Sequence, residues 1–166
     1  MKKTKGERFW VRLSKDNMVF SAAHFITFAG NVCERLHGHN YHVAAFIYGP
    51  LDENHYVVDF IALRDALQTI VGELDHHMLL PTQHPTIQVA AGELEILVRF
   101  ADRRWVFPRG DCVLLPIPNT TAELLAKFVG QRLIDSLQEK INFRPEKVRL
   151  EVDENGGQWG CWEYDL

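Results

Sequence analysis

The sequence predicts an α+β protein with a mainly antiparallel sheet, and three observations support this fold class. Apolar and polar residues alternate near both ends of the chain, as in strands that bury one face. Two internal segments instead repeat apolar residues at intervals of three and four, as amphipathic helices do. The resulting order is two strands, a helix, an additional strand-rich segment, a second helix and two strands, which is typical of α+β domains.

The first half of the chain supplies the leading strands and the first helix. The runs RFWVRL and MVFSAAHFI are predicted strands, and YHVAAFIYGPLDENHYVVDF is predicted as two short strands joined by a polar turn. The apolar stripe then changes period and predicts a helix over Ile61–Leu74. Asp59 lies where an N-cap is needed, so we expect its carboxylate to begin this helix.

The second half begins with the additional segment, residues 81–118. Its strand-like runs are LEILVRF, RWVF and CVLLP, broken by ADR and PRGD. A second helix is predicted from Thr121 to about Leu137, with Thr120 and Glu123 matching a capping box. The chain then alternates again in KVRLEV and WGCWEY around the turn DENGGQ, which predicts two final strands.

Length, charge and cysteine content limit the classes of function. A chain of 166 residues fits a single domain over 1–166, and a net charge of −4 gives no basic surface for nucleic acid. Neither an apolar signal segment nor a long apolar run is present, so we expect no membrane partner. Three cysteines are too few for a disulfide framework. The prediction is a cytoplasmic protein with reduced thiols.

The segment CERLHGHNYHV concentrates candidate metal ligands. Side chains alternate along a strand, so His37 and His39 project to one face while His42 points to the other. His24, at the end of FSAAH in a neighbouring strand, can supply a third imidazole. Three histidines leave one tetrahedral position open, as in catalytic zinc sites. The alternative is a pair of histidines satisfied within the protein beside a glycine turn, and His42 is assigned to that class.

Cys33 precedes His37 by four residues. Next to a cation and imidazoles we expect its thiol pKa to fall, giving a thiolate that can act as base or nucleophile. The alternative is a small buried apolar side chain, although the neighbouring Glu34 and Arg35 argue against deep burial. Cys112 and Cys161 lie in apolar runs, and we expect both to serve in packing.

The run ELDHHMLL follows the first helix. Asp75 and His76 suit a carboxylate-oriented imidazole for proton transfer, but adjacent side chains diverge, so contact between them requires an irregular backbone. The alternative is a polar helix end, where histidines interact well with the dipole. His77 is assigned to that alternative.

Five motifs together resemble one enzyme family. FSAAH, CERLHGHNY, VVDF, LDHH and NTTAELLA occur in the order seen in 6-pyruvoyltetrahydropterin and 6-carboxytetrahydropterin synthases. The three-residue gap between Cys33 and His37 resembles the gap at this place in the bacterial carboxytetrahydropterin branch. A sibling group of that family carries glutamate in place of the cysteine.

The resemblance implies a tunnelling fold, in which a four-stranded antiparallel sheet has two helices on one face, here with an inserted segment. It also implies trimers or hexamers with sites at subunit interfaces. Carried over by position, the expected zinc ligands are His24, His37 and His39. The expected catalytic residues are Cys33, Asp75 and His76.

Pterin contacts are expected near the last turn and at the second helix. The family anchors the pterin with a glutamate there, and strand alternation favours Glu154 over Glu151, because a carboxylate at the strand end can accept paired N–H bonds. Thr121 and Glu123 are further candidates for pterin contact, although capping is preferred for Glu123. The arginines of the inserted segment suit a triphosphate, but a solvated charged hairpin is preferred for all four: Arg99, Arg103, Arg104 and Arg109.

The implied reaction is zinc-dependent lyase chemistry on 7,8-dihydroneopterin triphosphate, giving 6-carboxytetrahydropterin, acetaldehyde and triphosphate for the queuosine route. Alternatives are pyruvoyl product formation by triphosphate elimination, aldolase-like side-chain cleavage for folate, and a non-catalytic pterin- or metal-binding module. A cupin-like metalloenzyme is disfavoured, because Val43 and Ala44 stand where it needs glutamate. A structural zinc site is disfavoured by the lack of a fourth protein ligand.

Overall fold

The computed structural model describes residues 6–166 and confirms the α+β fold class. Residues 1–5, which belong to the region considered above for a signal segment, lie outside the described part. The elements, in chain order, are β1 (Phe9–Leu13), β2 (Val19–His24), β3 (Thr27–Phe28), β4 (Val32–Cys33), β5 (His37–Gly49), α1 (Phe60–Leu74), β6 (His77–Pro81), β7 (Gln88–Ala91), β8 (Glu95–Phe100), β9 (Arg103–Pro108), β10 (Cys112–Leu115), α2 (Ala122–Ile141), β11 (Lys147–Asp153) and β12 (Trp159–Asp165).

The main sheet contains the predicted antiparallel arrangement and extends it. Strands β2, β5, β11 and β12 are neighbours with antiparallel pairing, and β1 pairs with the far end of β5. Beyond β2 the sheet continues through β6 and β10, which pair in parallel. The first of the two short strands predicted in this region lies within β5, which has 13 residues. The second was wrong, because residues 55–59 form no strand and lead into α1. The length of β5 allows it to pair with both β2 and β1 along one side and with β11 along the other.

The main core lies between this sheet and the two helices. Alternate residues of β2 and β5, such as Phe20, Tyr41 and Val43, are buried against the helices. The apolar stripe predicted for α1 supplies the other side through Leu63, Leu67, Ile70 and Leu74. Burying a large apolar side chain contributes about 1.5–3 kcal/mol, so this interface is the main source of the fold's stability.

The helix ends follow one prediction and contradict another. Asp59 caps α1 as expected, since its Oδ1 accepts from the backbone N–H of Ile61 at 2.6 Å. The capping box predicted for α2 is wrong, because Thr121 is the N-cap and makes no side-chain cap bond. The hydroxyl of Thr120 is buried and donates to the carbonyl of Phe25 instead.

The inserted segment forms a second layer. Strands β7, β8 and β9 make a separate antiparallel sheet, and a short 3-10 turn leads into β10 of the main sheet. Apolar side chains from the opposite face of β6, including Met78 and Leu80, pack with Ile96 and Val98 in a second core. The strand-like runs were thus predicted correctly, but the segment is packed against the main sheet. No helix within residues 6–166 is long and apolar enough to cross a membrane.

Candidate metal and pterin site

Three imidazoles converge where the main core ends. The core-facing positions of β2 are Phe20, Ala22 and His24, and those of β5 run from Val43 through Tyr41 and His39 to His37. The register pairs His24 with His37 across the two strands. The same alternation that buries the aromatic residues therefore brings three histidines together at the end of the apolar stripe, as the sequence predicted. His42 is exposed on the other face, also as predicted.

The geometry of this histidine cluster fits a metal ion. One ligand nitrogen from each ring lies within 4.8 Å of the others. His24 Nδ1 lies 3.0 Å from the carbonyl oxygen of Thr120, and His37 Nδ1 lies 2.8 Å from that of Arg35. Such contacts hold a proton on Nδ1 and leave the Nε2 lone pair free for a metal. His24 Nε2 is buried and has no hydrogen-bond partner in the described part of the chain, a loss of free energy that a metal ligand bond would remove.

Electrostatics keep His24 in the form that binds metal. Burial lowers the pKa of His24 to about 4, and the neighbouring rings of His37 and His39 act in the same direction. The contact with the Thr120 carbonyl opposes this shift. His24 is therefore neutral at pH 7, and no proton has to leave before a metal binds.

Glu154 adjoins the histidine cluster. Its Oε1 lies 3.4 Å from His24 Nε2 and 3.9 Å from His39 Nε2. The preceding Asp153 fixes the turn, since its carboxylate accepts from the backbone N–H groups of Asn155, Gly157 and Gln158. Glu151, the other candidate, is on a different face and pairs with Arg149 Nε at 2.7 Å. Of the two glutamates, only Glu154 is positioned beside the histidines.

Cys33 lies on β4 at the edge of the second core. Its side chain packs against that core, and its Sγ lies 3.5 Å from the carbonyl oxygen of Glu34. Burial raises the pKa of the Cys33 thiol, and the nearby Arg103 guanidinium offsets this only in part. The expected fall in pKa was therefore wrong for the protein without a bound ligand, because desolvation outweighs the cation. Cys112 packs as predicted, whereas Cys161 is exposed, against prediction.

Two functional candidates were not recognised in the sequence. Glu34 Oε2 lies 3.9 Å from His37 Nε2 and accepts from the N–H of Ile26 at 3.2 Å, which places a second carboxylate at the histidine cluster. Its position next to Cys33 was the available signal. Thr120 was considered only as a helix cap, yet its backbone carbonyl orients His24. Sequence alone gives no sign of such a backbone role.

Asp75 and His76 make the contact that required an irregular backbone. His76 has a φ of 58°, and its Nδ1 lies 2.8 Å from Asp75 Oδ2. Asp75 also accepts from the N–H of Ser21 at 2.7 Å, and this bond is the largest cause that lowers the pKa of Asp75. The His76 side chain is 82% exposed. His77 begins β6 rather than ending the helix, so its assignment to the helix end was wrong.

A cavity of about 550 Å³ reaches part of the site, and His24, His37, Cys33 and Glu154 are not among its lining residues. Its lining includes His39, His76, Gly38 and Asn40, together with Phe107 from the inserted segment. Thr121 and Glu123 lie instead at the start of α2, and Glu123 is exposed. The chain thus brings His39 and His76 to one cavity, with the start of α2 outside it.

Comparisons with known proteins agree on one family. The model of the family described as 6-pyruvoyl tetrahydropterin synthase matches residues 13–163. A putative 6-carboxy-5,6,7,8-tetrahydropterin synthase of Methanocaldococcus jannaschii is 31% identical over 144 residues, which is 86% of this chain and 88% of that protein. The crystal structure of 6-pyruvoyl tetrahydropterin synthase from Plasmodium vivax is 25% identical, covers 97% of this chain and 100% of its own, and has a TM-score of 0.88. A solved variant of the P. vivax protein replaces a glutamate described as a catalytic residue with alanine.

Proposed function

We propose, because the chain belongs to the 6-pyruvoyl tetrahydropterin synthase family, that it is a zinc-dependent lyase acting on 7,8-dihydroneopterin triphosphate. The products are 6-carboxytetrahydropterin, acetaldehyde and triphosphate, and one water is consumed. The reduction of the ring is balanced by oxidation of the first side-chain carbon, so no external oxidant or reductant is needed. The name of the M. jannaschii relative supports this outcome, which leads towards queuosine and related deazapurines.

The observation that carries the proposal is the buried Nε2 of His24, which lies in a cluster of three imidazoles and makes no hydrogen bond within residues 6–166, although Glu154 Oε1 is 3.4 Å away. A buried polar atom that makes no hydrogen bond costs about 1–3 kcal/mol of stability, and a metal ligand bond would remove this cost. Three protein ligands leave room for substrate at a zinc ion, which is the arrangement of catalytic sites. Zinc held by His24, His37 and His39 supplies a Lewis acid that makes the side-chain hydroxyls and the adjacent C–H more acidic.

The other residues move protons and hold the pterin. Cys33, once deprotonated, accepts a proton from the substrate side chain, and the His76 imidazole, oriented by Asp75, returns or removes a proton at the opposite face. Glu154 accepts N–H bonds from the amino-pyrimidine edge of the pterin through the carboxylate oxygen not turned towards the histidines. Thr121 and Glu123 are secondary contacts to the same ring.

The active form is a homo-oligomer, a trimer or hexamer with sites at subunit interfaces. The 82% exposure of His76 supports this arrangement, because general acid–base catalysis is more effective in a site shielded from water. A second copy of the chain, packed against the surface that exposes His76, would supply that shielding from water. The exposed aromatic side chains Trp10, Tyr164 and Trp159 provide apolar surface for such contacts.

The test is product analysis with matched variants. The zinc-loaded protein is incubated with 7,8-dihydroneopterin triphosphate, and acetaldehyde is quantified alongside the pterin product by mass. We expect acetaldehyde and 6-carboxytetrahydropterin in equal amounts, and loss of turnover in Cys33→Ala and His39→Ala. The controls are Cys112→Ala, a packing thiol, and His42→Ala, an exposed imidazole of the same strand. Turnover without acetaldehyde would favour the pyruvoyl or the hydroxymethyl product, which differ in mass, and absence of turnover with bound zinc would favour a binding module.

A second candidate reaction is favoured by Glu34. Its carboxylate is 3.9 Å from His37 Nε2, and a glutamate is described as a catalytic residue in the P. vivax protein. With Glu34 as the base, aldolase-like cleavage of the bond between the first and second side-chain carbons would give a hydroxymethyl pterin and a two-carbon aldehyde that carries the triphosphate. Glu34→Gln separates the two reactions: it should abolish hydroxymethyl pterin while leaving acetaldehyde release, and Cys33→Ala should do the reverse.

A further inference from the structure

The inserted sheet is bonded directly to the segment that carries Cys33. Arg103, the first residue of β9, directs its Nη1 to the carbonyl oxygens of Cys33 and Glu34, each at 2.8 Å. Hydrogen bonds from a charged donor are roughly twice as strong as neutral ones. The expectation that Arg103 belongs to a solvated hairpin was therefore wrong, although Arg104 beside it is exposed.

Aromatic contacts hold the guanidinium in place. Arg103 lies over the ring of Trp105 at 4.5 Å from its centroid, and Trp105 stacks on Phe25 with ring centroids 4.6 Å apart. A cation over an indole contributes about 0.5–2 kcal/mol, depending on desolvation. Phe25 is buried and follows His24 in the chain. This chain of contacts fixes Arg103 relative to the histidine cluster as well as to Cys33.

The segment that carries Cys33 needs such support because its own secondary structure is short. β3 and β4 pair over two residues each, and the turn between them includes Ala29 and Gly30 at positive φ. Further along, Glu34 N–H donates to the carbonyl of Ile26 at 2.9 Å. A two-residue ladder is marginal by itself, so the two bonds from Arg103 are a large part of what fixes the Cys33 backbone.

We infer that Arg103 is a positioning residue for Cys33 and Glu34. The inserted sheet, which carries Arg103, therefore helps to set the positions of these two residues in the site. The inference rests on the proposed function, in which one of these two residues removes a proton from the substrate. Arg103 itself is neither a member of the histidine cluster nor a lining residue of the cavity described above. Its effect is on where the thiol and carboxylate lie and on the charge around them.

The test follows the reactivity of each thiol in the metal-loaded protein. Iodoacetamide is added between pH 6 and pH 10, and alkylation of Cys33 and Cys112 is quantified by peptide mass spectrometry. The variant is Arg103→Met, the conservative variant is Arg103→Lys, and the matched control is Arg104→Met on the exposed face of the same strand. Cys112 lies in the same core as Cys33 and reports general loosening.

The expected result is specific to Cys33. In Arg103→Met the ratio of its alkylation rate at pH 7 to the rate at pH 10 falls about threefold or more, because a nearby positive charge is lost. Arg103→Lys recovers part of this ratio, and Arg104→Met and Cys112 stay unchanged. In turnover assays kcat falls in Arg103→Met while KM stays within about twofold of wild type.

Two results would overturn the inference. One is a Cys33 profile in Arg103→Met that matches Arg104→Met. The other is a raised KM with unchanged kcat, which would assign Arg103 to the charged groups of the substrate. A changed Cys33 profile with normal turnover would keep the positioning role and count instead against Cys33 and Glu34 as bases in the proposed reaction.

Discussion

Acid should destabilise the metal-free protein through His24. The pKa of this imidazole has its ordinary value of 6.5 in the unfolded chain and is about 4 in the folded protein, where burial lowers it. The unfolded chain then binds a proton more readily than the folded one. Stability is lost as pH falls from about 6.5, and the loss is complete below about 4.

The magnitude follows from the two pKa values. The free-energy penalty from His24 alone is about 0.2 kcal/mol at pH 7 and about 2 kcal/mol at pH 5. With a urea slope of about 2 kcal/mol/M, the unfolding midpoint should fall by about 1 M between these conditions. A bound metal would oppose the loss, because a ligand that binds only the folded state stabilises it.

The assay is urea unfolding of chelator-treated protein at pH 7, 6 and 5. The variant His24→Gln removes the titrating group, so its acid-induced loss should be about 2 kcal/mol smaller than that of wild type. His42→Gln, at an exposed position of β5, controls for the loss of one imidazole. Equal acid sensitivity in wild type and His24→Gln would refute the reasoning, and an NMR titration of His24 in wild type gives an independent check.

Three further predictions concern the helices and the proton-transfer pair. Gly130→Ala should destabilise the fold by about 1–3 kcal/mol in thermal or urea unfolding, because its Cβ would clash with the ring of Trp162. Asp59→Ala should cost about 1 kcal/mol in the same assay by removing the cap of α1, and a change below the error would contradict that role. Asp75→Asn should lower kcat by about tenfold or more with unchanged fold by circular dichroism, since His76 loses its carboxylate partner; unchanged kcat would exclude the pair from proton transfer.

Local periodicity predicted most of the fold. Alternation placed His37 and His39 on one face, and the change of period located α1 and its cap at Asp59. These features depend on neighbours within a few residues. The capping box at Thr120 failed because a tertiary partner, the carbonyl of Phe25, took its hydroxyl.

The sequence was sufficient to predict the three candidate metal ligands, but it did not predict the contacts around Cys33. Strand pairing brings His24 to His37, which the chain order already suggested. The raised pKa of Cys33 and the bonds of Arg103 depend on the inserted sheet folding onto the main one. No local pattern encodes that packing, since the residues concerned are about 70 positions apart.

The distance in sequence between His24 and Glu154 sets the order in which the site is completed during synthesis. Glu154 follows His24 by 130 residues. At about 5–20 residues per second, it leaves the ribosome about 6–26 s after the first histidine. In that interval the nascent chain carries three imidazoles and a thiol without the turn that adjoins them. The strand pair β11 and β12 therefore brings the carboxylate of Glu154 to the histidines only after the intervening residues have been made.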